Sequence, residues 1–213
     1  MKILLVTATQ EELGGIEFVK KLQSTFPNVE ILITGVGMVK ATYSLTSAIL
    51  IKKPDFILHT GICGSFNNTF PIGTVLNVIS EEFADIGFDN KGNFVPILQK
   101  DEIFQNGKLN NITDWGKILK IISGKGITVN KVSGEKIAIE KIVKQFNPDI
   151  ESMEGAAIFY VCSKQNIPFV EIRAVSNFVE PRNVNNWDIP LAVKNLTTIL
   201  PEAIHNIQSY YEA

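Results

Sequence analysis

The stretch IESMEGAAIFYVCSKQNIPFVEIRAVSN, residues 150–177, has the pattern of a helix followed by a buried β-strand. Residues 153–166 form a helix-length run, and Pro168 shortly after it is a common sign that a helix has ended. The run that follows, PFVEIRAVS, is mostly apolar, as in strands that are covered on both faces. A helix that leads into such a strand predicts an α/β fold.

The same alternation extends outward along the chain. Between several short runs rich in Ile, Leu and Val lie amphipathic, helix-length stretches, at residues 10–25, 38–52, 135–146 and 188–211. We therefore expect a three-layer sandwich, in which helices cover both faces of a twisted, largely parallel sheet. The remaining predicted strands are KILLVTA (2–8), VEILITG (29–35), FILHTG (56–61), GTVLNVIS (73–80) and ITVNKVS (127–133).

Residues 86–115 are rich in Asn, Gly and Asp and form the least regular part of the sequence. The stretch is longer than a typical loop, which indicates that it is functional or partly structured. Its composition does not mark a domain boundary. We expect one domain over residues 1–213, a length at which a single core buries roughly 70 % of the surface that the unfolded chain exposes.

Composition and charge narrow the class of partner. The chain is 45 % apolar and 20 % charged with a formal net charge of −2, which gives no basic surface for nucleic acid or anionic lipid. Two cysteines, Cys63 and Cys162, are too few for a disulfide framework, and no apolar run is long enough to span a membrane. We therefore expect a cytoplasmic protein that binds a small molecule.

Ligands of open α/β sheets bind beyond the carboxyl ends of the strands, so polar residues at those positions are site candidates. Glu11 and Glu12 follow the first strand at a helix start, where the helix dipole alone also favours carboxylates. Gly35 and Gly37 follow the second strand and allow a close approach of the backbone, although a dinucleotide fingerprint would need a third glycine. The third strand ends in a similar glycine turn.

Two later positions add to this set. Glu154 precedes a helix that begins with small residues, GAA, which predicts close packing against a neighbour; the helix dipole again offers an ordinary explanation for the carboxylate. The last strand continues into a cluster of polar side chains, which is a better signal of a site than any single residue. The cluster contains Ser176, Asn177, Glu180, Arg182 and Asn183.

The histidines and cysteines have simpler explanations. His59 lies inside an apolar strand and His205 on the exposed side of the last helix, so we expect no catalytic histidine, no metal site and no cofactor. Cys63 lacks a histidine in a position to act as its base, which disfavours a nucleophilic thiol.

Six segments, taken together in their order and spacing, resemble the nucleoside phosphorylase and nucleosidase family over nearly the whole chain. They are TATQEEL, TGVGMVKA, HTGICGSF, KVSGEKI, ESMEGAAI and IRAVSN. The resemblance implies the mixed central sheet of that family and cleavage of an N-ribosidic bond. Within the family, SNFVEPRNVNNWDIPLA (176–192) is most similar to futalosine hydrolases, which release hypoxanthine from futalosine on a route to menaquinone.

The resemblance also implies roles for candidate residues. Glu154 would accept hydrogen bonds from the 2′ and 3′ ribose hydroxyls while Met153 packs against the sugar. Glu12 would position and deprotonate the attacking water, a role suited to a buried carboxylate. Arg173 would lie behind the site and orient Glu12 or Glu154. Arg182 would bind the carboxylate at the far end of futalosine.

Asn177 matches the position that contacts the purine. Adenine-specific members of the family carry Asp there, whereas members that act on 6-oxopurines often carry Asn, whose amide offers a donor and an acceptor without ionising. The resemblance thus implies a 6-oxopurine such as hypoxanthine, with backbone groups of residues 134–138 facing the base. Further substrate contacts are implied for Cys63, Gly64, Ile137 and Ser176.

Two departures from the family's phosphorylases argue against phosphate as the nucleophile. No arginine precedes Arg173, and Ile62 stands where phosphorylases carry a hydroxyl residue. A phosphate dianion without such partners would be costly to desolvate, so water is the predicted nucleophile.

Three alternatives remain: a methylthioadenosine/S-adenosylhomocysteine-type nucleosidase, a purine nucleoside phosphorylase, and a nucleoside-binding sensor without catalysis. Asn177 weighs against the first and the missing phosphate ligands against the second. The presence of both Glu12 and Glu154 weighs against the third. Because pockets in this family are commonly completed by a neighbouring subunit, we also expect a homo-oligomer, most simply a homodimer.

Overall fold

The computed structural model describes residues 1–97 and 102–212, and in this part of the chain nine strands form one sheet while two form a separate hairpin. The strands of the sheet are β1 Ile3–Thr7, β2 Val29–Ile33, β3 Phe56–Ser65, β4 Val75–Phe83, β7 Phe104–Gln105, β8 Lys108–Asn110, β9 Ile122–Thr128, β10 Ile150–Ser152 and β11 Phe169–Phe178, and the hairpin is β5 Gly87–Asn90 with β6 Asn93–Pro96. The helices are α1 Ile16–Thr25, α2 Met38–Lys52, α3 Trp115–Leu119, α4 Lys136–Phe146, α5 Gly155–Gln165 and α6 Ile189–Glu212.

The sheet is mixed and partly closed. Its strand order is β2-β1-β3-β10-β9-β4-β8-β7, and β11 pairs with both β3 and β4. As a result, β3, β10, β9, β4 and β11 form a ring, to which β1 and β2 are joined through β3. The strands β2, β1, β3 and β11 are mutually parallel, whereas β4 runs antiparallel to β11. The predicted α/β fold with a central mixed sheet is confirmed.

Helices cover the sheet on two sides, and β1 shows how its residues are divided between them. Leu4 and Val6 pack with residues of α2 and α5, whereas Ile3 and Leu5 pack with residues of α3 and α6. Successive strand residues point to opposite faces, so a strand covered on both sides is apolar throughout. This explains the unbroken run in KILLVTA.

The start of β9 corrects a prediction from the sequence. The pattern placed this strand at residues 127–133, whereas it occupies Ile122–Thr128. The part of β9 that the pattern missed, residues 122–126, contains Gly124 and Gly126, so it does not form an apolar run. A Cβ at Gly126 would lie 2.2 Å from Glu81 Oε1, and one at Gly124 would lie 2.7 Å from a Leu76 methyl carbon. Side chains of β4 therefore fill the space that larger β9 residues would need.

The predicted helix 10–25 is also two elements. A short 3-10 helix, Glu11–Leu13, precedes α1, and between them Gly14 and Gly15 have φ of 71° and 86°. These left-handed conformations interrupt the helix and favour glycine. The other predicted helices agree with α2, α4, α5 and α6 to within two residues at each end, whereas α3 and β10 were too short to be recognised.

The irregular stretch 86–115 is partly structured, as expected. It contains the hairpin of β5 and β6 and the short strands β7 and β8, while residues 98–101 lie outside the described residues. A single domain over residues 1–213 stays a prediction.

The topology places the candidate residues at one edge of the sheet. Because β1, β3 and β11 are parallel neighbours, their carboxyl ends meet there. The 3-10 helix follows β1 at this edge, and α5 begins nearby, three residues after the short strand β10.

Candidate active site

A cavity of about 300 Å³ opens at this edge of the sheet. It is large enough for part of a small ligand. Polar groups contributed by the 3-10 helix, β3, the link from β10 to α5, and β11 converge on it. Its lining residues are Glu12, Val36, Ile62, Cys63, Gly64, Val132, Glu151, Ser152, Met153, Glu154, Ser176, Asn177, Arg182 and Trp187.

Glu12 projects into the cavity from the 3-10 helix, and its Oε2 accepts a hydrogen bond of 3.0 Å from Thr7 Oγ1 at the end of β1. Burial raises the pKa of this carboxyl above its ordinary value, opposed by the nearby Arg173 guanidinium and reinforced by the negative charge of Glu154. A carboxylate in this condition is a better base than an exposed one, so Glu12 can take a proton from a water molecule in the cavity.

Glu154 lies at the start of α5, 4 % exposed, yet its side chain does not cap that helix. Its Oε1 accepts a hydrogen bond of 3.0 Å from the backbone N–H of Gly37, and its Oε2 lies 3.6 Å from an Arg173 nitrogen. The first amides of α5 are bound instead by the hydroxyls of Ser152 and Thr128, at 3.1 and 2.7 Å. Because the helix start is satisfied without it, the Glu154 carboxylate faces the cavity.

Arg173 lies behind the cavity wall, 1 % exposed, and does not line the cavity. Its Nε donates to Glu171 Oε1 at 2.5 Å, and one terminal nitrogen donates to the Ile62 carbonyl at 3.3 Å. The guanidinium packs so tightly on Gly61 that a Cβ there would lie 2.3 Å from it. One buried cation thus lies close to two of the carboxylates that line the cavity, Glu12 and Glu154.

Asn177 follows an irregularity in β11, where the register to β3 shifts between Val175 and Asn177. Its Nδ2 donates to the Phe178 carbonyl at 3.0 Å, and its Oδ1 lies 2.8 Å from Ser176 Oγ. Each of these atoms keeps one further hydrogen-bonding position. The side chain is therefore held in place while it can still donate to and accept from a ligand in the cavity.

The end of β3, which pairs with β11 beside Asn177, supplies the adjoining part of the wall. The Cys63 thiol is buried, and burial raises its pKa far above the ordinary value, so it stays protonated and is a poor nucleophile. Gly64 is required by close packing, since a Cβ there would lie 2.8 Å from Val179 and 3.1 Å from the Asn177 amide nitrogen. Ile62, at the same end of β3, contributes an aliphatic side chain to the cavity lining.

Ile137, like Arg173, is a candidate that the structure places outside the cavity lining. It lies in the first turn of α4 and is 61 % exposed. From the loop before α4, Val132 lines the cavity. The contact of Ile137 with the substrate stays a prediction. Arg182 lines the cavity, with its guanidinium carbon 5.3 Å from the centre of the Trp187 ring and its backbone N–H bonded to the Gly134 carbonyl.

Sequence reasoning missed three acidic residues. Glu151 lines the cavity and accepts hydrogen bonds from the Ser133 N–H and hydroxyl at 2.9 and 2.5 Å, which fixes the loop before α4. Glu81 and Glu171 lie fully buried behind the site. For Glu171 the signal is an acid inside a largely apolar strand, VEIR, where Glu171 and Arg173 share a face because they are two residues apart.

Metal binding and membrane insertion would each need a recognisable structural feature. Among the described residues, no three His, Cys, Asp or Glu side chains are grouped so that they could hold a metal ion. Within the same residues, no helix combines the length and the apolar character needed to span a membrane.

Comparison with known proteins assigns the fold to a family. The model of the family described as "Phosphorylase superfamily" matches residues 7–205. The chain belongs to the phosphorylase superfamily. A 5′-methylthioadenosine/S-adenosylhomocysteine nucleosidase of Buchnera aphidicola is 27 % identical and covers 98 % of each chain. The enzyme of that name from Shewanella baltica is 30 % identical over 85 % of this chain and 78 % of its own.

Solved structures of phosphorylase superfamily proteins share the fold at lower identity. The methylthioadenosine/S-adenosylhomocysteine nucleosidase of Colwellia psychrerythraea, in complex with adenine, has a TM-score of 0.83 at 18 % identity and covers 97 % of this chain and 95 % of its own. The futalosine hydrolase of Helicobacter pylori has a TM-score of 0.79 at 18 % identity, and the match covers 96 % of this chain and 97 % of that protein. At these identities the likeness establishes the fold alone.

For a member of the phosphorylase superfamily, the cavity is poor in groups that could bind phosphate. Arg182 is the one cationic side chain among the described residues that line it. Arg173 is already surrounded by carboxylates. A dianion would therefore meet the carboxyl groups of Glu12, Glu151 and Glu154 and an aliphatic wall, an arrangement that repels it.

Proposed function

We propose that this protein hydrolyses the N-ribosidic bond of a purine nucleoside, with water as the nucleophile. The observation that carries the proposal is a pair of carboxylates, the half-buried Glu12 and the buried Glu154, which face one cavity and lie close to one buried guanidinium. One carboxylate is held by the Gly37 backbone and the other by the Thr7 hydroxyl, so both are fixed before a substrate arrives.

Each residue has a defined task in this reaction. Glu154 accepts hydrogen bonds from the ribose hydroxyls, and its charge favours the oxocarbenium character that develops on the sugar. The bond from C1′ to the purine nitrogen breaks, and its electron pair moves to the base, which Asn177 stabilises by hydrogen bonding. Water bonds to C1′ through its oxygen while Glu12 accepts one of its protons. Met153 packs against the sugar face.

Asn177 favours a 6-oxopurine, and we propose futalosine as the first candidate substrate. A carboxamide can donate to the 6-oxo or N7 acceptors and can also accept from the base, without needing to ionise. Arg182 supports this choice, because it lines the cavity beside Trp187 and could bind the carboxylate at the far end of futalosine.

Methylthioadenosine or S-adenosylhomocysteine is the second candidate, favoured by a specific observation. The relatives that cover most of this chain at 27–30 % identity carry the name of nucleosidases for these compounds. Both candidates require the same Glu12 and Glu154 chemistry and differ in the purine and in the group beyond the ribose. The choice between them therefore rests on Asn177 and Arg182.

A substrate panel separates the possibilities. The purified protein is incubated with futalosine, methylthioadenosine, S-adenosylhomocysteine or inosine, with and without phosphate, and free base is followed by chromatography. Hypoxanthine released from futalosine without phosphate supports the first candidate, and adenine released from methylthioadenosine supports the second. Release from inosine only when phosphate is present would contradict hydrolysis, and binding without release would indicate a sensor.

A further inference from the structure

Behind the cavity lies a cluster of four buried ionisable side chains, which we call the rear cluster: His59, Glu81, Glu171 and Arg173. Each is at most 1 % exposed, and none of them lines the cavity. Burying charged groups is costly unless they are paired, so the cluster needs a reason beyond packing.

Arg173 connects the rear cluster to the cavity. Its Nε donates to Glu171 Oε1 at 2.5 Å on the rear side, while a terminal nitrogen lies 3.6 Å from Glu154 Oε2 on the cavity side. The same nitrogen lies 3.3 Å from His59 Nε2. Glu12 also lies near this guanidinium, since a Cβ on Gly61 would come within 2.3 Å of an Arg173 nitrogen and 3.0 Å of Glu12 Oε2.

Glu171 makes the contact that positions the Arg173 guanidinium. It makes the shortest contact to Arg173 and binds Nε, the nitrogen nearest the side-chain stem, so it fixes the orientation of the guanidinium plane. We infer that Glu171 is a positioning residue, which sets the place and the available charge of Arg173 and through it the two cavity carboxylates, Glu12 and Glu154. This inference rests on the proposed roles of Glu12 and Glu154.

The charges around Arg173 are balanced by protonation. Burial alone would neutralise Glu171, but the adjacent Arg173 guanidinium prevails and lowers its pKa, so it is ionised. Burial and then the Glu171 charge raise the pKa of Glu81 well above its ordinary range, so it is neutral. Burial and the Arg173 charge lower the pKa of His59. Among the described residues, the titratable groups that interact with the Arg173 charge are Glu12, His59, Cys63, Glu81, Glu154 and Glu171.

Replacement of Glu171 should therefore alter catalysis in two ways. Glu171→Gln removes the anion that shares the Arg173 charge, so the positive field at Glu12 grows and the pKa of Glu12 falls. The acidic limb of the kcat/KM profile then moves to lower pH. Because Arg173 is also free to turn toward the cavity, we expect kcat to fall on the order of 100-fold, the size of effect that small displacements produce in active sites.

Glu81→Gln is the matched control. It changes a carboxyl of the same size in the same cluster, but one that is already neutral, and an amide oxygen can still accept the hydrogen bond of 2.8 Å from Thr128. We expect its kcat and its acidic limb to stay close to those of the wild type. A purely structural role for the cluster would make both variants less stable to heat and would leave the limb unchanged in both.

The experiment compares pH–rate profiles and thermal unfolding of the wild type, Glu171→Gln and Glu81→Gln with the substrate that the panel identifies. An unshifted limb and wild-type kcat in Glu171→Gln, or equal losses in both variants, would overturn the inference. The Glu12 titration, followed by carboxyl ¹³C NMR, gives the same decision without turnover: its pKa should fall in Glu171→Gln alone. An inactive wild type would thus contradict the proposed function and leave the inference testable.

Glu171→Asp covers the case in which Glu171→Gln does not fold. It keeps the negative charge but withdraws the carboxylate from Arg173 Nε by one methylene. We expect a lower kcat with the acidic limb in its wild-type position. Wild-type kcat in a folded Glu171→Asp protein would count against a positioning role.

Discussion

At the scale of single residues, Glu154 owes its orientation to two hydroxyl groups. The Ser152 and Thr128 hydroxyls accept hydrogen bonds from the first amides of α5, a task that a carboxylate at a helix start would otherwise perform. The Glu154 carboxylate therefore faces the cavity and contacts the Gly37 amide and Arg173. In the sequence, Glu154 looks like an ordinary carboxylate at a helix start. In the structure, the Ser152 and Thr128 hydroxyls bind the helix amides in its place, so Glu154 is available to the site.

Glu12→Gln tests the proposed base. An amide cannot accept a proton from water, so turnover should fall about 10²- to 10⁴-fold while substrate affinity, measured by calorimetry, changes little. Since burial raises the pKa of Glu12, wild-type activity should decline as the pH falls through a value above 4.5. Glu11→Gln is the control, because Glu11 is exposed on the same 3-10 helix. Wild-type turnover in Glu12→Gln would remove Glu12 from the mechanism.

Glu81→Gln tests the protonation of the rear cluster through stability. The pKa of Glu81 is raised in the folded protein, so its contribution is fully present below about pH 4.5 and is lost as the pH rises toward the folded pKa. Each pKa unit of that rise costs about 1.4 kcal/mol. Relative to the Tm of the wild type, the Tm of Glu81→Gln should therefore rise as the pH increases from 5 to 8. A difference that does not depend on pH would show that Glu81 is ionised.

At the scale of elements, α5 is pressed against the ring of strands at its first residue. A Cβ on Gly155 would lie 2.3 Å from Glu81 Oε1 and 3.0 Å from Glu171 Oε1. The small residues of MEGAA were expected to pack closely against a neighbour, and that neighbour is the rear cluster. The helix that carries Glu154 is thus held at a fixed distance from the carboxyl groups behind the site.

Gly155→Ala tests this contact. In most helices the change is stabilising by about 1 kcal/mol, but here overpacking should reverse the sign and cost about 1–3 kcal/mol. Combining it with Glu81→Ala removes the nearer of the two obstructing carboxyls, so the double variant should be more stable than the sum of the single effects predicts. Denaturant unfolding of the four proteins measures this coupling. Additive effects would mean that the two residues do not press on each other.

The sequence was sufficient for elements whose signal is local. The strands β1 and β11 are largely apolar runs. Glu12 could be picked out because it follows a predicted strand, Glu154 because it precedes a helix that begins with small residues, and Asn177 because it belongs to a polar cluster at the carboxyl end of a strand. The first half of β9 could not, because its glycines make sense only beside Glu81 and Leu76. The partners of a buried acid are likewise set by pairings between distant strands, which no local pattern contains.

At the scale of the whole molecule, a larger groove of about 840 Å³ lies along α2 and is lined mainly by apolar residues, among them Val39, Tyr43, Phe104 and Tyr160. Val39 and Tyr43 are 80 % and 75 % exposed. The groove reaches Met38, next to the Gly37 amide that binds Glu154, so a molecule seated in it would lie beside the cavity. We propose that a second copy of the chain covers it.

The homodimer is tested by sedimentation velocity. Tyr43→Glu places a charge in the groove and should shift the protein toward monomer, because an unpaired charge at an apolar interface is costly. Ile112→Glu is the control, since Ile112 is 93 % exposed and does not line the groove. A monomeric wild type, or a dimer that Tyr43→Glu does not weaken, would contradict this arrangement.

The central claim is that water, activated by Glu12, attacks the ribosyl carbon. Isotope labelling tests this claim most directly, because it shows whether the oxygen bound to that carbon in the product comes from water. The reaction is run in H₂¹⁸O with phosphate present, using whichever panel nucleoside is cleaved, and the sugar product is analysed at once by mass spectrometry. We predict one ¹⁸O at C1′ of a free sugar and no sugar phosphate. Formation of the 1-phosphate of that sugar, without the label, would contradict the account.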